Sequence, residues 1–245
     1  MSIPVVDLSQ FVSGNPATKA AFVQRFGKAY EEVGFVAVKN YSVPDEFNET
    51  FSEAYKSFQK SGTASLQAIA LYLGLEESFF DNYVHNGNGI LRCLYYPPIT
   101  QEPKSAIRAE HHEDINLITL LVGASADGLE ILTKQNIWVA VTSLPDQIVV
   151  NVGDMFQRLT NNQLCSTTHR VVNPKRELWS TSRFSIPFFL HPRSSMSLAC
   201  LKSCVDGNHP KAYPDYTAGK YLDERFERNR IEDIDLISRL SGFNT

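Results

Sequence analysis

The chain has 245 residues, 43% hydrophobic and 20% charged, a balance that excludes disorder, collagen and coiled-coil arrays. Lysine and arginine number 23 against 27 acidic residues, a net charge of −4, with no clustered basic surface of the kind that nucleic acid or anionic lipid requires. The opening MSIPVVDLSQF carries no secretory signal pattern, no apolar run is long enough to span a bilayer, and four cysteines (Cys93, Cys165, Cys200, Cys204) are too few for a disulfide framework. These features predict a cytoplasmic protein with reduced, buried thiols that engages neither nucleic acid nor membrane.

In chain order, Ile3 to Asp7 predicts a short strand, and Ala17 to Val33 a helix with an apolar stripe at Ala21, Phe22, Phe26, Ala29 and Val33, ended by Gly34. Phe35 to Val38 reads as a strand and Pro44 to Phe58 as a helix. A short linker, QKSGTAS, separates it from a second apolar helix, Leu66 to Leu73, and Glu76 to Val84 predicts another. From Ile90 the pattern changes to short β-rich runs, ILRCLYY, NLITLLV, GLEIL, IWVAV, IVVNV, TTHRVV and RFSIPFFL, without helices between them. That order predicts an antiparallel double-sheet jelly roll, mainly β with flanking helices in an α+β arrangement. Thr217 to Arg230 and Ile231 to Leu240 return to helix, with Arg225, Arg228 and Arg230 on a solvated face. The chain is therefore expected to be one domain over 1–245. Its parts are a helix and strand region at 1–89, a jelly-roll catalytic core at 90–192 and a helical extension at 193–245.

Three of the six histidines carry the chemistry. Two residues apart on a strand, His112 and Asp114 present an imidazole and a carboxylate to one face, while His111 and Glu113 face the other. A His-x-Asp pair with a distant second histidine is the trace of a 2-His-1-carboxylate triad for Fe(II). His169, 55 residues after Asp114, is the candidate third ligand. In RFSIPFFL, Arg183 and Ser185 share a strand face, and a planar guanidinium beside a hydroxyl suits one end of a dicarboxylate. Read without further context, HHED is a polar strand edge and Arg183 a surface arginine, but an arginine inside RFSIPFFL stands where burial is expected and needs an anionic partner.

With those residues in view, the span from about Ile90 to Pro192 resembles the isopenicillin N synthase-like group of the Fe(II)/2-oxoglutarate-dependent dioxygenases. The motifs LRCLYYPP, HHEDINLITLL, GLEIL, NVGDMFQRLTNNQLCSTTHRVV and RFSIPFFLHP stand in that family's order, and IPVVDLS and EEVGFVAVKNYSVP resemble its opening. The resemblance implies that His112, Asp114 and His169 are the iron ligands and catalytic centre. It also implies that Arg183 and Ser185 hold the far carboxylate of 2-oxoglutarate and that Tyr96 lines the cosubstrate pocket. The chain departs from the family where Leu94 replaces an asparagine, where Asn40, Tyr41 and Ser42 replace Asn-His-Gly, and between Phe58 and Leu66, where members usually carry a long segment that helps enclose the substrate.

The activity implied is oxidation of a small organic substrate by hydroxylation, desaturation or cyclisation, with O2 consumed and 2-oxoglutarate converted to succinate and CO2. Ascorbate is the expected reductant in vitro. The apolar strands NLITLL and SIPFFL are expected to wall the site dry. Two further readings are an oxidase of the isopenicillin N synthase type that dispenses with 2-oxoglutarate, and an idle jelly roll holding a structural ion such as zinc. Asn151, Gly153 and Asp154 read first as a turn after a buried strand, with a second role orienting a loop near the site. Arg92 shares the face of Tyr96 and suits either solvent or an acidic substrate. His85, His191 and His209 lack partners at ligand spacing and are expected at the surface or in loops.

Overall fold

The computed structural model describes residues 3–40, 44–142 and 146–228. The chain divides into two compact units, residues 1–53 and 54–245. In the first, β1 (Val5–Asp7) pairs in parallel with β2 (Ala37–Lys39), connected through α1 (Ser9–Val12) and α2 (Pro16–Glu32). α2 begins where the Asn15 side chain accepts the Thr18 N–H and Pro16 fills the first turn. It stops just before Gly34, whose φ of 75° is left-handed. Phe22 and Ala29 from the predicted stripe are buried. The Asn40 amide donates to both Asp7 carboxylate oxygens at 2.9 Å and ties the ends of β1 and β2 together. Together with Ser9 it holds the Asp7 carboxyl below its ordinary range. Tyr41 and Ser42 lie outside the described residues.

The two helices predicted on either side of QKSGTAS form one uninterrupted helix, α3 (Asp45–Tyr72), whose residues from Ala54 onward belong to the second unit. Gly62 explains the difference. An added Cβ there would stand 2.8 Å from Leu190 Cδ2 and 3.3 Å from Leu120 Cδ1, so this glycine marks close approach to the sheet and not a helix break. Phe58 stacks on Phe188 with ring centroids 5.5 Å apart, and Leu66, Ala70 and Leu73 complete the buried side of the helix. A 3-10 turn at Glu77–Phe80 and α4 (Asp81–Val84) follow, as predicted for 76–84.

Nine strands then build two antiparallel sheets. They are β3 (Ile90–Leu91), β4 (Leu94–Tyr96), β5 (Ala109–His112), β6 (Ile118–Val122), β7 (Leu129–Leu132), β8 (Trp138–Ala140), β9 (Ile148–Val152), β10 (His169–Val171) and β11 (Arg183–Leu190). One sheet has the order β5-β10-β7-β8; the other is β3-β11-β6-β9 with β4 also on β11. Both sheets line one cavity, the double-stranded β-helix or jelly-roll arrangement the sequence predicts. The period of two divides each strand between faces. On β6 and β11, Thr119, Leu121, Arg183, Ser185, Pro187 and Phe189 line the cavity. Ile118, Leu120, Phe188 and Leu190 belong to the core cluster that includes Phe58 and Leu66 of α3. Only five of the twelve residues of NLITLL and SIPFFL therefore form the wall of the site.

Beyond the sheets, α5 (Asp154–Leu159) starts directly after β9, and residues 218–228 form a helix, α6, with Ala218 and Tyr221 buried. Arg225 is not on a solvated face as the sequence suggests: its Nη2 lies 3.3 Å from the buried Asp154 carboxylate. Arg228 is exposed, while Arg230 and the stripe Ile231 to Leu240 lie outside the described residues. All four cysteines are free, but Cys93 and Cys165 are exposed, so burial of every thiol does not hold. No helix among the described residues is long and apolar enough to cross a membrane.

Candidate metal centre

Strand register brings the two candidate ligand histidines together. β10 and β5 are antiparallel neighbours with His169 directly opposite His112, and their ring centroids lie 4.4 Å apart. The expectation that Asp114 shares a strand with His112 does not hold, because β5 ends at His112. Asp114 sits beyond the strand end, where its backbone carbonyl accepts the Asp154 N–H at 2.7 Å, and its carboxylate is buried. Asp114 Oδ1 lies 3.9 Å from His112 Nε2 and 3.7 Å from His169 Nε2, and the three donor atoms fall within 4.8 Å of one another. His111 is exposed, outside the cavity lining.

Hydrogen bonds decide which atoms of these side chains are left for a ligand. His112 Nδ1 is 2.7 Å from the Glu110 carbonyl and His169 Nδ1 is 3.0 Å from the Thr167 carbonyl. A carbonyl only accepts, so each Nδ1 carries the proton and each Nε2 keeps its lone pair toward the site. Asp114 Oδ2 accepts from Thr119 Oγ1 at 2.6 Å and from Asn151 Nδ2 at 2.8 Å. Thr119 and Asn151 are themselves cross-strand partners on β6 and β9, and the Thr119 hydroxyl oxygen accepts from Asn116 Nδ2 at 2.8 Å. Oδ1 is thus the carboxylate oxygen left for the centre. Two imidazole lone pairs and one carboxylate oxygen form the donor set of a divalent transition metal. Ligand distances of about 2.0–2.2 Å place neighbouring donors on the order of 3 to 4 Å apart, a separation these side chains nearly have. The residues fit Fe(II).

Arg183 and Ser185 share a face of β11 and line the same cavity, of about 360 Å³, both deeply buried. Tyr96 on β4 is the register partner of Arg183, whose Cζ is 5.2 Å from the tyrosine ring. Arg183 Nε donates to the Ala126 carbonyl at 3.1 Å, Nη1 is buried without an acceptor among the described residues, and burial lowers the guanidinium's affinity for its proton. Leu94 and Arg92 also line the cavity, the leucine adding an apolar surface.

Sequence reasoning passes over Thr119 and Arg108, and gives Asn151 and Gly153 a place near the site only as a second role. Thr119 and Asn151 are the lone polar residues on the cavity face of otherwise apolar strands, which was the available signal. Asn151 does more than end a strand, since it bonds directly to the Asp114 carboxylate. Gly153 provides close approach, because a Cβ there would meet the Asn116 carbonyl oxygen at 2.3 Å. His191, expected at the surface or in a loop, is buried, and burial lowers its pKa. His209 is exposed and pairs with Asp206. Arg108, which no motif marked, lines the cavity beside Tyr96.

Comparison with known proteins agrees with this construction. The 2OG-Fe(II) oxygenase superfamily pattern matches residues 87–192, and the pattern of the non-haem dioxygenase in morphine synthesis N-terminal region matches residues 3–70. The chain belongs to the 2OG-Fe(II) oxygenase superfamily. It is 34% identical over 181 residues to the 2-oxoglutarate-Fe(II) type oxidoreductase hxnY of Emericella nidulans, a match covering 72% of this chain and 51% of that protein. A crystal structure described as a 2OG-Fe(II) oxygenase family protein from Caulobacter crescentus superposes with a TM-score of 0.71 at 43% identity, over 78% of this chain and 63% of the other. One from Shewanella oneidensis, described as an oxygenase, gives 0.61 at 32% identity over 79% and 69%. The chain spans about half the length of the curated relatives it matches.

Proposed function

We propose that the protein is a 2-oxoglutarate-dependent oxygenase in which His112, Asp114 and His169 hold Fe(II), with Arg183 and Ser185 binding the cosubstrate and Tyr96 bordering it. The observation that carries this reading is the convergence of His112 Nε2, His169 Nε2 and Asp114 Oδ1, each left free because the other polar atom of its side chain is hydrogen-bonded. When bound, Fe(II) supplies the coupling of dioxygen to 2-oxoglutarate decarboxylation and oxidation of a substrate C–H bond. The chain's own part is positional. Glu110 and Thr167 carbonyls fix the imidazole tautomers, and Thr119 and Asn151 fix the carboxylate. Arg183 and Ser185 offer a charged donor and a hydroxyl to a carboxylate entering between the sheets. Leu121, Pro187 and Phe189 exclude water beside them.

The substrate is read as a small organic molecule, since a cavity near 360 Å³ stands at the lower end of ligand sites, which run from about 300 to 1,000 Å³. Four free thiols support a reducing, cytoplasmic setting. The test is anaerobic loading with Fe(II), addition of 2-oxoglutarate and ascorbate, and admission of air in the presence of candidate substrates. Succinate formed in step with substrate oxidation, lost on rigorous iron removal and inhibited by Zn(II) and N-oxalylglycine, is the expected result. Activity that survives iron removal would sink the reading.

A further inference from the structure

The cavity carries more positive charge than its expected occupants neutralise. Three guanidinium groups, Arg92, Arg108 and Arg183, line it, against the single carboxylate of Asp114. A divalent metal and a dianionic cosubstrate cancel one another, so the excess of cationic groups persists when both are bound. Elsewhere in the protein, partly buried arginines meet acids: Arg170 lies 2.8 Å from Glu130 and Arg225 lies 3.3 Å from Asp154. Among the described residues none of the three cavity arginines has a carboxylate within salt-bridge distance.

The cosubstrate accounts for neither Arg92 nor Arg108, and of the two it is Arg108 that carries buried donors without an acceptor. It precedes β5, in the sheet opposite β11, and its Cζ lies 5.9 Å from the Tyr96 ring, against 5.2 Å for Arg183. Its Nη2 donates to the Thr181 carbonyl at 3.2 Å, while Nε and Nη1 are buried without an acceptor among the described residues. Burying a cation with unmet donors is unfavourable unless an anion completes it. Apart from these cations the wall is largely apolar, with Leu94, Leu121, Leu129, Ile131, Val149 and Phe189. We propose that Arg108 binds a carboxylate of the substrate to be oxidised, so that the substrate class is a small organic acid with an apolar body. This rests on the oxygenase reading above, with Arg183 committed to the cosubstrate.

The experiment uses the full chain loaded with Zn(II), so that nothing turns over, and saturated with N-oxalylglycine. Binding of 3-phenylpropionate and octanoate is then measured by calorimetry against their uncharged amides. Arg108 is partly buried, so the effect is expected below that of a fully buried charge pair, with at least one acid binding about tenfold tighter than its amide. Arg108→Leu should erase that preference while leaving N-oxalylglycine affinity within about threefold, and Arg108→Lys should retain part of it because the charge stays. Circular dichroism verifies that each variant is folded, and Arg108→Gln, which keeps two donors without the charge, replaces the leucine variant if that one is not.

Equal binding of acids and amides by the wild-type protein overturns the proposal, as does an acid preference that survives Arg108→Leu. A fall in N-oxalylglycine affinity as large as that caused by Arg183→Leu also overturns it, by making Arg108 a second cosubstrate anchor. If N-oxalylglycine fails to bind at all while the acid preference depends on Arg108, the oxygenase reading fails and the acid site stands.

Discussion

The two ends of the cavity are built on opposite plans. At the metal end the chain satisfies itself: both His Nδ1 atoms have carbonyl acceptors, and Asp114 Oδ2 has two donors, so the only atoms left over are those that point at one another. At the arginine end, Arg183 Nη1 and Arg108 Nε and Nη1 are buried with no acceptor among the described residues. In the proposed reading the first end is preorganised for a cation of fixed geometry, and the second is completed by the anions it binds. A site of this kind keeps its geometry in the strands and leaves its recognition to charge.

The largest expected effect breaks the finished end. His112→Ala removes one of three donors and should abolish Fe(II) binding, whereas His111→Ala, on the exposed side of the same strand end, should leave it within about twofold, as surface changes usually do. Metal analysis after anaerobic loading measures both. The reverse pattern would falsify the register assigned to HHED.

Next comes the incomplete end. Arg183→Leu removes the buried cation and should weaken 2-oxoglutarate binding by about 2 to 5 kcal/mol, tens to thousands of fold. Arg183→Lys keeps the charge without the planar fork, and a smaller loss is expected. Titration of the cosubstrate into iron-loaded protein under nitrogen reads both, and cosubstrate affinity unchanged in both variants points to the oxidase reading instead.

A smaller effect sharpens the comparison by testing preorganisation itself. Asn151→Ala leaves every ligand in place but takes away one of the two donors to Asp114 Oδ2. Loss of such a supporting hydrogen bond typically lowers metal affinity by about 10 to 100-fold. Iron affinity equal to wild type in this variant means that Thr119 alone orients the carboxylate.

The clustering of His112, Asp114 and His169 was legible in the sequence because these are unusual residue types at a characteristic spacing, and five motifs around them run in a known order. Its supports were not. Asn151 and Thr119 meet only because β9 and β6 pair in one register, and no local pattern specifies that pairing. The same holds for α3, where Gly62 reads locally as a break and becomes intelligible only once Leu190, 128 residues away, is packed against it. Arg225 reads locally as a surface charge because its partner, Asp154, is buried at the start of a helix distant in sequence. Strand alternation, by contrast, placed Arg183 and Ser185 on one face correctly, since a period of two is a local property.

A different kind of effect, on stability and not on ligand affinity, lies beneath the metal end at Asp154, whose N–H holds the Asp114 carbonyl. Burial, first, and then a hydrogen bond with Glu113 push the Asp154 carboxyl up to about 6 from 3.8, while Arg225 pulls the other way. In the unfolded chain this group loses its proton near 3.8, so between that pH and about 6 the folded state binds more protons than the unfolded one. Stability from this group is therefore full below pH 3.8 and falls as pH rises through about 6, after which it is constant. At about 1.4 kcal/mol per pKa unit, the whole change is on the order of 3 kcal/mol. Asp154→Asn cannot titrate, so in metal-free protein the difference in melting temperature, wild type minus variant, should decline from pH 4 to pH 6 and level off above it. Working without metal keeps pH-dependent metal release out of the measurement, and the titration of His112, His169 and Asp114, common to both proteins, cancels in the difference. A difference that stays constant across that range means the Asp154 proton is released as easily in the folded protein as in the unfolded chain, and that Arg225 offsets the burial completely.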